Sequence, residues 1–385
     1  MTKVIVVGVG GMGSAAAAHL GRRGAEVVCV EQFVPGHDRG SSHGESRIIR
    51  QAYFEDPAYV PLLLHAYELW AGLERDDPGI FRLTGGLMLG RPEEEVVAGA
   101  LASAREHGLP YDVLDAREIR SRFPAFAPAD DEVGVHEERA GSVRPERTVL
   151  AHWRRATRAG AVLWDGGRAL AWEADDSGVR VLTPGGTIEA DRLVMAPGAW
   201  APYQLADLGL PLVVTRQTVF WFRPADPAAY ALGTQPVFVW ERPGLRPYGF
   251  PCLDDDGGVK VGLHHRGEET HPDLVERYVS QEEAREVAGL LRPMLPSLEG
   301  TYLRAIACLY TTTPDNHFVI GLHPRHGNVA VACGFSGHGF KFVPVVGEIL
   351  ADLVLDGSTR HPIGLFDPAR FGPAPINPAP INPAR

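Results

Sequence analysis

Val4-Ile5-Val6-Val7-Gly8-Val9-Gly10-Gly11-Met12-Gly13 follows directly on the first three residues of the chain. A run of four β-branched residues enters a glycine-rich turn, and an alanine-rich stretch then continues to Gly24, the pattern of a buried strand, a tight turn and a helix. A second apolar run, Val27 to Val30, ends on Glu31 and completes a βαβ unit. Gly8, Gly10 and Gly13 fall in the spacing GxGxxG. The first permits the turn, the second lets backbone approach a pyrophosphate, and the third lets helix pack on strand. The helix N-terminus would then offer unpaired N–H groups to phosphates. Glu31 at the tip of the second strand can accept hydrogen bonds from ribose hydroxyls and disfavours a 2′-phosphate. The motif therefore points to a dinucleotide, without choosing between NAD and FAD.

The rest of the 385 residues is consistent with two domains. Helical periodicity appears over Tyr59–Leu73, Glu93–His107 and Arg144–Gly160, with strand character at Thr84–Gly90. The region from Leu212 to Leu263 is rich in Val, Phe and Trp with Gly and Pro punctuation and reads as an antiparallel sheet. The last third returns to strands and a helix, so the cofactor domain is expected to be discontinuous. The pentapeptide PAPIN occurs twice near the end, which points to an extended or disordered tail over 373–385. A net charge of −11 argues against binding to nucleic acid or anionic membrane. The four cysteines form no zinc-like cluster, no metal is expected, and free thiols with no signal peptide or membrane span fit a cytoplasmic location.

Two further segments carry chemistry. In Gly40-Ser41-Ser42-His43-Gly44-Glu45-Ser46-Arg47-Ile48-Ile49-Arg50, a helix starting near Ser46 would place Arg47 and Arg50 on one face, a fork for a carboxylate or a flavin carbonyl. The alternative is a pair of surface arginines matched to Glu45 or Glu55. Later, Gly334, Gly337 and Gly339 precede a long helix, where backbone can approach a flat ligand and the helix N-terminus can stabilise negative charge. Lys341 falls in the first turn of that helix, an unfavourable place for a cation unless an anion such as a substrate carboxylate compensates.

The segments GSSHGESRIIR, YVPL with ELW, PGAW, YGFP, CLYTTTPDNHF and GFSGHGFKF together resemble the monomeric sarcosine oxidase family, which includes N-methyltryptophan oxidase, within the wider D-amino-acid-oxidase-like flavoproteins. The resemblance runs from Gly8 to about Leu355. It implies an α/β (α+β) fold, with an FAD-binding Rossmann-like domain (1–85, 145–205 and 315–360) and a second, antiparallel-sheet substrate domain (86–144 and 206–314). The cofactor side would comprise Gly8, Gly10, Gly13, Glu31, Ser41, Ser42, Gly198, Gly334, Gly337 and Gly339, with Cys308 as the covalent attachment point of FAD. Arg50 and Lys341 would hold the substrate carboxylate, and Tyr248 and Tyr310 would border its cavity. His264 would contact the amine region, Arg47 and His43 would lie by the flavin, and Lys260 would assist oxygen reduction.

The resemblance further implies a monomer that oxidises a secondary amino acid with O2 and releases H2O2. Three departures bear on the substrate: a longer loop between Tyr248 and Lys260, His265 beside His264, and Thr312 in place of a lysine. A cyclic imino acid oxidase, an oxidase of a larger amino acid, a non-catalytic flavin sensor and an NAD-dependent dehydrogenase are the alternatives.

Overall fold

The structure, a computed structural model, describes residues 1–254, 257–298 and 300–372. The PAPIN repeats and part of the Tyr248–Lys260 loop therefore lie outside the described residues. Lys3–Val7 forms the central strand of a six-stranded sheet, between Glu26–Val30 and Arg192–Met195, both parallel to it. His326–Cys333 and Val162–Leu163 extend the sheet outward in parallel, and Val319–His323 closes one edge antiparallel. The continuous apolar runs of the inner strands reflect burial on both faces. One face carries the helices Gly11–Arg22, Pro145–Arg158 and Val343–Asp356. The alanine run of the first helix lets the last approach closely: a Cβ on Gly347 would lie 2.5 Å from the Ala15 Cβ. The other face is covered by the small antiparallel sheet of Ala171–Asp175, Gly178–Thr183 and Gly186–Ala190 through Val179, Val181 and Ile188.

A nine-stranded sheet stands beside this layer. Its long pair, Val213–Arg223 with Thr301–Thr312, is antiparallel, as are its neighbours Val259–Leu263 and Pro247–Gly249. The sheet departs from a purely antiparallel one at a single join, where Val237–Trp240 runs parallel to Gly86–Gly90. Its core is aromatic, with Phe220, Phe238 and Trp240 buried.

The polar loop after the βαβ unit does not become helical. Arg47–Ile49 is a strand paired antiparallel with Gly141–Val143, which also pairs with Phe81–Leu83. The supposed helical face shared by Arg47 and Arg50 is thus absent, because these residues find a distant strand partner instead of a local turn. Lys341 also differs from the sequence reading. It lies in a 3-10 turn, Phe340–Phe342, that precedes the helix Val343–Asp356, and it is 5% exposed.

Candidate active site

A cleft enclosing about 1250 Å³ of empty space up to its open mouth runs past the carboxyl ends of the central strands, where ligands of open α/β sheets bind. Gly8, Gly10, Glu31, Ser41, Ser42, Gly198, Gly334, Gly337 and Gly339 all line it. The glycines of the turn have separate reasons. Gly8 has φ +87°, and a Cβ there would lie 2.3 Å from the Ala196 carbonyl oxygen; one on Gly13 would lie 1.7 Å from the Gly8 carbonyl oxygen. At Gly10 the added carbon would meet only Ser42 Oγ, at 3.5 Å. Two glycines thus serve the protein's own packing, and the third leaves backbone bare toward the cleft.

Glu31 accepts from the N–H of Val9 (2.7 Å) and of Phe33 (3.1 Å), with His37 Nε2 3.5 Å away. Burial pushes its carboxyl up, but the hydrogen bonds from His37, Val9 and Phe33 outweigh it and hold the group below the usual carboxylate range. A bare helix N-terminus beside a fixed carboxylate suits the pyrophosphate and ribose of an adenine dinucleotide.

A second cavity of about 730 Å³ adjoins the first, and Arg47, Tyr310, Gly337 and Phe340 line both. The long sheet builds its wall by strand alternation: Gln217 and Val219, Tyr248 and Phe250, and Cys308 and Tyr310 are each two apart, so each pair points to the same face. The opposite side comes from the 3-10 turn before the last helix and from the loop after the Arg47–Ile49 strand. Arg50, Glu55, His264 and Lys341 complete the lining.

Arg50 donates to Glu55 Oε2 (2.5 Å) and to the Ala52 carbonyl (2.9 Å), with its guanidinium 4.3 and 4.1 Å from the Tyr53 and Phe54 ring centres. The pairing with Glu55 considered from sequence is real, but Arg50 is buried rather than on the surface. Lys341 Nζ donates to the His338 carbonyl (2.7 Å). Its pKa falls to about 7, chiefly through burial and then through Arg50, with Glu55 opposing. The Glu55 carboxyl is pushed up by burial but pulled to about 2 by Arg50, His338 and Lys341. Arg50 and Lys341 therefore face the cavity's one carboxylate, with Arg47 as a third basic group in the lining. Burial and the neighbouring His265 hold His264 well below the ordinary histidine range, so its ring is neutral, with Nδ1 3.2 Å from Tyr310 Oη.

Cys308 lines the second cavity, with Sγ 3.9 Å from both His43 Nδ1 and Arg47 NH2. Burial raises the thiol, but His43, Arg47 and Lys260 outweigh it and bring the pKa to about 6, so the thiolate predominates at neutral pH. Lys260 and His43 line neither cavity. Lys260 Nζ donates to the carbonyls of Gly44 (2.6 Å) and Ser46 (2.7 Å) and to Ser46 Oγ (3.2 Å), fixing the turn between His43 and Arg47. Burial and the Arg47 charge depress its pKa well below the ordinary lysine value.

Sequence reasoning missed Glu55 as a cavity group and passed over His338, whose Nδ1 lies 2.5 Å from Tyr53 Oη and whose Nε2 faces the Asn316 carbonyl at 2.9 Å. No local pattern marks either residue. A buried acid near a candidate carboxylate clamp was the available clue. Glu146, which accepts from the N–H groups of Gly44 (2.5 Å) and Glu45 (3.0 Å), was likewise invisible because the contact spans distant segments.

The sequence profile described as FAD dependent oxidoreductase matches residues 3–353. The chain is 52% identical to a monomeric sarcosine oxidase of Streptomyces avermitilis, over 95% of this chain and 97% of that one. It is 33% identical to an N-methyl-L-tryptophan oxidase of Salmonella enteritidis, over 96% and 98%. Among solved structures, the L-proline dehydrogenase from P. horikoshii superposes with a TM-score of 0.84 at 26% identity, covering 96% of this chain and 97% of that one. No helix among the described residues is long and apolar enough to cross a membrane.

Proposed function

Since the chain belongs to the FAD dependent oxidoreductase family, we propose that it is an oxidase of N-methyl amino acids, with sarcosine as the smallest candidate substrate. The observation that carries this reading is the convergence of Arg50 and Lys341, from opposite ends of the sequence, on the cavity that shares a wall with the dinucleotide cleft. With Glu55 as the one facing carboxylate, the cavity holds an excess positive charge that a substrate carboxylate neutralises. Phe54, Val239, Phe250 and Phe340 offer an apolar surround to the remaining substituents.

When bound, FAD supplies the two-electron chemistry, taking a hydride equivalent from the carbon beside nitrogen and passing the electrons to O2 as H2O2. The protein's share is placement. The clamp fixes the acid group, which limits how the neighbouring C–H can point, and closely held reactants gain most of what an enzyme offers such a reaction. Neutral His264 and Tyr310 favour the uncharged amine, since neither adds a fixed charge at that end. The bare Gly10 backbone, Ser42, Glu31 and the Gly334–Gly339 segment would hold the cofactor.

Cys308 is the assigned point of covalent attachment, supported by its thiolate character and its place in the wall of the second cavity beside Arg47, which lines both. Lys260, which holds the turn that carries His43 and Arg47, is assigned to the oxygen half of the cycle on the family resemblance. The domain division expected from sequence and a monomeric state belong to the same reading. Peroxide release with sarcosine, larger N-methyl amino acids and pipecolate tests the whole. Turnover of an N-methyl amino acid supports it, and silence with every amine carboxylate would end it.

A further inference from the structure

Away from both cavities, His65, Glu348 and His361 bring three potential ligand atoms within 4.8 Å of one another. His65 is on the helix Val60–Asp76, Glu348 on Val343–Asp356, and His361 in the segment that follows. His65 Nε2 and His361 Nε2 lie 3.0 and 2.9 Å from the same oxygen, Glu348 Oε1. All three side chains are largely shielded, at 22%, 16% and 8% exposure.

Two details single this cluster out from an ordinary surface ion pair. His65 Nδ1 is 3.1 Å from Glu68 Oε2, so both ring nitrogens of one imidazole face carboxylate oxygens. A neutral ring has only one N–H to give. With Nδ1–H given to Glu68, the Nε2 lone pair points at an oxygen lone pair, a mismatch removed either by a second ring proton or by a metal cation held between them. This is also the arrangement in which a carboxylate behind a histidine orients it toward a metal. In addition, Glu348 lines a separate surface cavity, with Asp352 and Asp356 set among Arg22, Arg23 and Arg360, so its carboxylate can be reached from outside. Arg360 NH2 reaches the same Glu348 oxygen at 3.4 Å, but at 73% exposure it is free to swing outward.

We propose that His65, Glu348 and His361 form a binding site for a divalent transition ion of the zinc type. Two imidazoles and one carboxylate suit zinc, with a fourth position left to water. The neighbouring oxygen–nitrogen separations are a few tenths of an ångström shorter than ligands around a tetrahedral ion require, an adjustment within reach of side-chain rotation. Binding replaces the hydrogen shared between imidazole and carboxylate, so protons are released as the metal enters. The ion would tie the helix that begins just after Lys341 to the Val60–Asp76 helix and to the segment beyond residue 356, a brace for the wall of the substrate cavity.

The test uses the intact flavoprotein, stripped with chelator and titrated with Zn2+, with bound metal counted by elemental analysis and thermal midpoint followed in parallel. One equivalent retained per chain with a raised midpoint is expected, absent in the His65→Ala/His361→Ala double variant. Glu68→Gln should weaken binding by about 10-fold or more while leaving the flavin spectrum unchanged. No retained zinc, or equal retention by the double variant, would mean an adventitious ion only and overturn the site.

Discussion

Lys341 has a pKa near 7 in a cavity whose purpose, on the reading above, is to hold a carboxylate. The binding form is the ammonium, so affinity for a simple carboxylate inhibitor such as acetate is full below about pH 7 and declines as pH rises through it. Lys341→Met should lower that affinity and flatten its pH dependence, as measured by inhibitor titration. Arg50→Ala takes from Glu55 its nearest ion-pair partner, a change that typically costs about 3 kcal/mol or more of folding stability, read by denaturant titration, and with half of the clamp gone kcat/KM for sarcosine should fall as well. Cys308→Ala should yield flavin that denaturation extracts, whereas covalent retention in that variant would remove Cys308 from its role. Little of this was legible locally. The sequence placed Lys341 in an odd position for a cation, but its depressed pKa arises from burial and then from Arg50, surroundings that only the folded chain makes.

At the scale of elements, the opening strand–turn–helix was legible because its causes are close at hand: Gly13 answers a steric demand from Gly8, Gly8 one from the end of the neighbouring strand, and Gly10 leaves backbone bare toward the cleft. The turn also yields a contrast. Gly13→Ala places a carbon on the Gly8 carbonyl and should prevent folding, read as insoluble or molten protein. Gly10→Ala meets only Ser42 Oγ and should give folded protein with a markedly lower flavin content, read by circular dichroism and absorbance together. The Arg47–Ile49 segment was misread for the opposite reason. Its partner, Gly141–Val143, is far away in sequence, and three residues carry no period that distinguishes strand from helix. The 3-10 turn at Phe340–Phe342 shifts Lys341 out of the helix by a few residues, a boundary that propensity does not resolve.

For the whole molecule, what the sequence could not supply is the meeting of two cavities across Arg47, Tyr310, Gly337 and Phe340. That junction depends on the nine-stranded sheet standing against the open end of the six-stranded one. The resemblance to known oxidases carried the candidate site residues, and the structure shows which of them line the two cavities. The division of labour across the junction predicts that Lys260→Met slows reoxidation by O2 far more than reduction by substrate in stopped-flow traces; equal losses in both would show that it only holds the Gly44–Ser46 turn.

The most direct measurement is anaerobic reduction of the purified flavoprotein by sarcosine and by dimethylamine, its counterpart without the acid group, in the native chain and in Lys341→Met. The account predicts rapid bleaching of the visible flavin band by sarcosine alone, with the preference much reduced in the variant. Equal bleaching of the native protein by both amines would contradict it.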